Sequence, residues 1–242
     1  MDSYVSHCGG DDVRAVQLYQ WNSEISGAMW ETIGHLEIAL RNGLANRLSL
    51  RHTRLGRAGT WLDTPVHDLD PRAGTEIAKA QGRVRLNGKP AGPGQTISEL
   101  SFGFWRFLLA RRYTSTLWPD LARAFPHAPS RNRALVEEPV ARVHLFRNRL
   151  AHHQKIWTEP ITARFDDALL VLEFIDPDLA GWVHATSRVT ATLAACPEPL
   201  PHRLTARTVP GGQRATRDIL VGSGSTTSST PKPPSSSSTT VA

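Results

Sequence analysis

Residues Arg142 to Lys155 read R-V-H-L-F-R-N-R-L-A-H-H-Q-K, and the seven positions from Arg147 to His153 hold two arginines, an asparagine and two adjacent histidines. On a helix Asn148 and His152 stand one turn apart and share a face. Arg147 lies about 100° round from Asn148, and its long side chain can reach back over that face. The spacing therefore gathers an arginine, an asparagine and a histidine around one small surface. Those types suit phosphoryl chemistry on RNA. A 2′-hydroxyl attacking its neighbouring phosphate needs a proton acceptor, the leaving oxygen needs a donor, and the phosphorane between them needs positive charge. Imidazole does either proton job, worth roughly 10²–10⁴-fold in rate. A guanidinium can clamp the phosphoryl oxygens, and the asparagine can orient the imidazole or hold a phosphate oxygen. No metal or other cofactor is expected, because no compact carboxylate cluster suited to Mg²⁺ is visible; Asp166, Asp167 and Glu173 read as a solvated helix face. A structural role is open as well, since cationic side chains near a helix C-terminus also favour its dipole.

The elements that must carry this run read as helices. Ile25, Met29, Ile33, Leu36, Leu40, Leu44 and Leu48 recur at steps of three or four, with Asn22 or Ser23 as a cap, and Arg51 to Gly59 read as a basic loop. Glu37, Arg41 and Asn42 form a polar stripe on that helix. By default Glu37 and Arg41 make a solvated i,i+4 ion pair. Asp70-Pro71 and Asp176-Pro177 are cap-plus-proline starts, and Thr96 to Glu99 has the capping-box pattern. The strongly apolar run from Ser101 to Ala110 follows. Its aromatics Phe102, Phe104, Trp105 and Phe107 read as core or, less simply, as a base-stacking platform. Ser130 caps a helix up to Glu138, and Pro139 kinks it or begins the helix of the Arg-Asn-His run. Helices follow through Phe165 to Ile175 and through Leu179 to Leu193, the latter stopped at Cys196-Pro197. No period-two alternation is sustained, so the chain reads as all-α.

The chain has 242 residues and a net charge of +6. Gly222 to Ala242 hold eight Ser, five Thr, three Pro and two Gly, a composition that cannot bury enough apolar surface to offset chain ordering. Residues 1–18 are read as a flexible N-terminus, 19–196 as the folded domain and 197–242 as a disordered tail. The tail carries five cationic side chains against two acidic ones, so half the net charge lies outside the domain. The part that could steer RNA is local: Arg131, Arg133, Arg142, Arg149 and Lys155 outnumber Glu137 and Glu138. Cys8 and Cys196, the only cysteines, give neither a disulfide framework nor a zinc pattern. With no signal-peptide pattern and no apolar span of membrane length, a cytoplasmic protein with no membrane partner is expected.

Arg147-Asn148 followed by His152 has the R-N-x-x-x-H form of the R-x(4–6)-H signature of the HEPN superfamily. Five further segments extend the likeness: W-N-S-E-I-S-G at Trp21–Gly27, E-I-A-L-R-N at Glu37–Asn42, L-S-F-G-F-W-R-F-L-L at Leu100–Leu109, Leu117-Trp118 and Ala124-Phe125-Pro126. With these the chain resembles the Abi-like (abortive infection) proteins of that superfamily over roughly residues 19–195. The resemblance implies a HEPN-type helical bundle with additional helices. It also implies a metal-independent endoribonuclease, with Arg147, Asn148 and His152 at the catalytic positions and His153 as an alternative histidine. Arg149, Glu37, Arg41 and Asn42 would support the site or bind RNA. The partners implied are RNA, a second copy of the chain completing the site, and an antitoxin or regulatory protein. The biological role implied is anti-phage defence or toxicity, with a 2′,3′-cyclic phosphate as product. Some HEPN proteins only bind RNA or a protein partner, and that non-catalytic module is the alternative.

Overall fold

The computed structural model describes residues 1–63, 68–90 and 92–200. The described residues form ten α-helices and no strand. They are α1 (Asp2–His7), α2 (Asp12–Arg54), α3 (Pro71–Leu86), α4 (Pro93–Glu99), α5 (Phe102–Leu108), α6 (Trp118–Leu121), α7 (Ala134–Ala151), α8 (Ile161–Ile175), α9 (Pro177–Thr186) and α10 (Val189–Ala194).

The 43-residue α2 is the axis of the fold, about 65 Å long at 1.5 Å per residue. Its apolar stripe, Leu18, Ile25, Met29, Ile33, Leu36, Leu40 and Leu44, is fully buried. Around it pack α1, α5, α7, α8 and α10. The helix begins earlier than its strongest periodicity suggests. Asp11 is its cap, accepting hydrogen bonds from the N–H groups of Val13 (3.0 Å) and Arg14 (3.1 Å). Asn22, read as a cap from sequence, lies inside the helix and is buried.

Residues 1–18, expected to be flexible, are therefore structured. Ala15 and Leu18 extend the buried stripe, and α1 brings Tyr4 and Cys8 into the core. At the other boundary Pro197–Leu200 belong to the described structure. Glu198 is buried and accepts two 2.6 Å hydrogen bonds from the Arg14 guanidinium. The tail expected beyond that point, residues 201–242, lies outside the described residues.

Other local expectations change for physical reasons. The basic stretch after Leu50 stays helical to Arg54, because Arg51 pairs with Asp68 (3.1 Å) and Asp120 (2.6 Å), and Arg54 with Asp120 (2.7 Å). Burial pushes the Asp68 carboxyl up, but hydrogen bonds from Arg51 and Arg57 outweigh it and hold the group down at about 2. Thr96 to Glu99 lie within α4 instead of capping the next helix. Ser101 caps α5, and Glu99 binds Arg83 and Lys89. Asp70 and Asp176 cap α3 and α9 as their Asp-Pro pairs predict. The single last helix is two, divided at Ser187, whose hydroxyl is 3.1 Å from that of buried Thr32.

The helix that carries the Arg-Asn-His run is α7. It starts at Ala134, where the Asn132 side chain accepts from the Ala134 N–H, and it passes through Pro139 without ending. Val136, Val140, Val143 and Phe146 bury its inner face against α5, α2 and α8.

Candidate functional site

Helix α7 ends at Ala151, so His152 is its C-cap and His153 the first residue beyond. The turn is a Schellman motif: the His153 N–H binds the Leu150 carbonyl and the Gln154 N–H binds the Arg149 carbonyl, both at 3.0 Å. The motif needs a left-handed residue next to the cap, usually glycine. His153 fills that position with φ +50°, the only non-glycine with positive φ among the described residues. The backbone strain is real and sits beside the sequence signature.

The segment after this turn is pinned from α2. The Asn22 side-chain oxygen accepts hydrogen bonds from the backbone N–H groups of Ile156 (2.8 Å) and Trp157 (3.3 Å), both buried. Asn22 is thus a positioning residue: it fixes where the chain leaves the His152-His153 turn.

Between α2, the end of α7 and this turn lies an open groove of about 680 Å³. Helix α2 presents Tyr19, Ser23, Ser26 and Trp30 along it at helical spacing, α7 presents Arg147, and the turn presents His153 and Gln154. Tyr4 of α1 lies at the groove, edge-on to Tyr19 with ring centroids 5.6 Å apart. The Arg147 guanidinium carbon lies 5.0 Å from the Trp30 ring centroid, a cation–π contact, while Trp30 stays 45% exposed. The buried Nε of Arg147 has no hydrogen-bond partner among the described residues. An aromatic face and a guanidinium thus border one groove that also holds an imidazole.

Two further groups interact with Arg147. Glu37 on α2 is half-buried. Burial pushes its carboxyl above the ordinary range, opposed first by the charge of Arg147 and then by that of Arg41. The expected Glu37–Arg41 contact ion pair is not formed among the described residues; the charges of Arg147 and Arg41 both act on the Glu37 carboxyl. His144, one turn before Arg147, is held below the ordinary histidine range by burial and by the charges of Arg106 and Arg147.

Of the residues expected at the site, the groove unites Arg147 and His153. Asn148 is half-buried and His152 exposed, and neither lines it. Asn42 is exposed on α2, and Arg149 pairs with Glu159 at 3.4 Å. The local cationic excess is smaller than the sequence suggests. Arg142 is tied to Asp167 at 2.6 Å, and Arg133 to Glu137 at 3.7 Å and to the Leu109 carbonyl at 2.6 Å. Asp167, expected on a solvated face, is buried between Arg142 and Arg164. Of the aromatic run, Phe102, Phe104 and Trp105 are core, and Phe107 is about half exposed.

Sequence reasoning missed Trp30, Tyr19 and the role of Asn22. Their signal was present: Tyr19, Ser23, Ser26 and Trp30 recur at helical spacing on a face that flanks the apolar stripe, about a quarter turn round from it, within and beside the W-N-S-E-I-S-G segment. Among the described residues no group of three or more His, Cys, Asp or Glu side chains is placed to hold a metal ion, and no helix is long and apolar enough to cross a membrane. Compared with known protein families, curated proteins and solved structures, the chain has no significant match.

Proposed function

We propose that the chain is a metal-independent endoribonuclease of the HEPN type. The observation that supports this reading most is the groove in which Arg147, laid against Trp30, shares one surface with His153. Trp30 and Tyr19 offer faces on which bases of a single strand can stack, which is worth about 1–3 kcal/mol per base. Arg147, beside Trp30, is placed to meet the phosphate next to a base stacked there. The adjacent His152-His153 pair supplies imidazole at the end of the same helix. In the reaction an imidazole takes the 2′-hydroxyl proton as that oxygen attacks phosphorus. Arg147 stabilises the phosphorane, and the 5′-oxygen leaves with a proton donated by the other histidine of the pair, which the 2′-hydroxyl proton restores through the first. The products are a 2′,3′-cyclic phosphate and a 5′-hydroxyl.

In a cell this activity would act as a toxin or as an abortive-infection effector, stopping growth by cutting RNA. A second copy of the chain is proposed to complete the site. A stacking face and a guanidinium would equally serve a non-catalytic RNA-binding module, the alternative reading. Incubating the purified protein with RNA in EDTA separates the two. The enzyme reading expects cleavage to cyclic phosphates, lost in Arg147→Ala and in the His152→Ala/His153→Ala double variant. RNA that is bound but left intact would establish the module, and RNA that is not bound would remove both.

A further inference from the structure

A second cavity, of about 290 Å³, lies between α3, α5 and the turn at Arg111–Tyr113, and it shares no lining residue with the Arg147 groove. Its inner surface is apolar and aromatic, with Phe104, Phe107 and Leu108 from α5. Phe107 is 48% exposed, unlike its buried neighbours in the same run; the Arg106 guanidinium carbon stands 5.0 Å from its ring centroid, and Arg106 does not line the cavity, so the part of the ring that Arg106 leaves open borders it. Flat π faces of this kind suit a planar ring.

The polar groups around that surface are mixed, and the Tyr113 and Ser101 hydroxyl protons and the Arg72 guanidinium are uncommitted among the described residues. The Tyr113 hydroxyl accepts the Asp70 N–H at 2.9 Å, and among the described residues its own proton has no acceptor. Ser101 likewise accepts from the Phe104 N–H and keeps its proton free. Arg72 has no carboxylate within ion-pair distance among the described residues, and Arg112 is paired with Asp70 at 2.5 Å. Glu76 completes the rim, with a weak 3.4 Å contact to Lys79.

Two arginines against two carboxylates leave the rim without net charge. Such a rim gives a free anion no preference over a neutral molecule. It does match a neutral ring whose edge alternates donors and acceptors: hydroxyls and Arg72 toward carbonyl and ring nitrogens, carboxylates toward exocyclic amino groups.

We propose that this cavity binds a nucleobase, with the ring against Phe107 and its edge read by Tyr113, Ser101, Arg72 and Glu76. The base can belong to a free nucleoside or to a single strand of RNA. The carboxylates favour adenine, guanine and cytosine over uracil, which has no amino group. The inference does not depend on cleavage at Arg147.

The test is titration of the full chain with adenosine, guanosine, cytidine and uridine, read by calorimetry and by chemical-shift changes, and in parallel with short RNA oligonucleotides of each base. We expect saturable binding of the amino-bearing nucleosides, weaker for uridine. Phe107→Ala should weaken it about 5- to 100-fold, by loss of one stacking face. Tyr113→Phe and Glu76→Gln should alter preference among the bases. Oligonucleotide binding that Phe107→Ala weakens while free nucleosides fail to bind would assign the cavity to a base of the strand. No nucleoside or oligonucleotide effect of Phe107→Ala, in a variant with wild-type melting behaviour, overturns the proposal. Loss of nucleoside binding in Arg147→Ala alone would instead place the base in the other groove.

Discussion

His153→Gly should make the protein more stable and less active. The position lies at φ +50°, next to the α7 C-cap, and its backbone makes the Schellman hydrogen bonds. Left-handed backbone costs an L-residue roughly 1–2 kcal/mol, and glycine escapes that cost. Glycine also loosens the unfolded chain, which offsets about 0.4–1 kcal/mol. The net gain is about 0.5–1 kcal/mol. For a folded unit near 200 residues each kcal/mol moves Tm by about 2–4 °C, so Tm should rise by about 1–4 °C. Glycine is the usual residue at this place in the motif, so the turn and the His152 backbone keep their course, and only the imidazole in the groove is lost. RNA cleavage should then fall at least about 10²-fold, the usual worth of a positioned proton carrier. Differential scanning calorimetry and a cleavage assay on the same preparation measure both. A Tm that falls by several degrees would show that the imidazole stabilises the turn, so that the strain has no functional reading. Unchanged cleavage would remove His153 from the site.

Three further outcomes are expected. Asn22→Ala strips the acceptor from two buried N–H groups, at about 1–3 kcal/mol each, and should lower stability by about 2–4 kcal/mol in denaturant unfolding, with faster amide exchange at Ile156 and Trp157. Glu37 has its folded pKa raised, so its ionisation opposes folding, and the stability it confers when protonated is lost as pH rises through the folded pKa. Glu37→Gln should therefore raise Tm above wild type at pH 7–8, with the difference vanishing below the ordinary carboxylate range; a constant difference at all pH values would refute the assignment. Truncation after Leu200 should leave Tm nearly unchanged, whereas truncation after Cys196 should lower it, because Glu198 and its two hydrogen bonds to Arg14 go with the removed segment.

The parts of the fold governed by neighbours in sequence were legible in it. Asp70-Pro71 and Asp176-Pro177 start helices because cap and proline act within one turn. The stripe from Ile25 to Leu48 marks α2 because burial selects apolar residues at its period. The start of α2 was not legible, since only Ala15, Leu18 and Trp21 carry the stripe there, and the exposed Val13, Val16 and Tyr19 between them blur its period. What depends on distant partners was hidden. Asn22 resembles a cap until Ile156 and Trp157, more than 130 positions away, are placed against it. Asp167 resembles a solvated carboxylate until α7 brings Arg142 to it. At the candidate site the residue types were visible in Arg147 to His153. Which imidazole meets the groove was not, because the end of α7 and a left-handed His153 decide it, and neither has the glycine that usually announces such a turn.

The most direct test of the central claim is cleavage of RNA in EDTA by wild type, Arg147→Ala, His153→Ala and the His152→Ala/His153→Ala double variant, with mass spectrometry of the new ends. The account predicts 2′,3′-cyclic phosphate ends from wild type, at least a roughly 10²-fold loss in Arg147→Ala and in the double variant, and His153→Ala carrying the larger share of the histidine effect. Intact RNA with wild type, or cleavage that survives loss of Arg147, would contradict it.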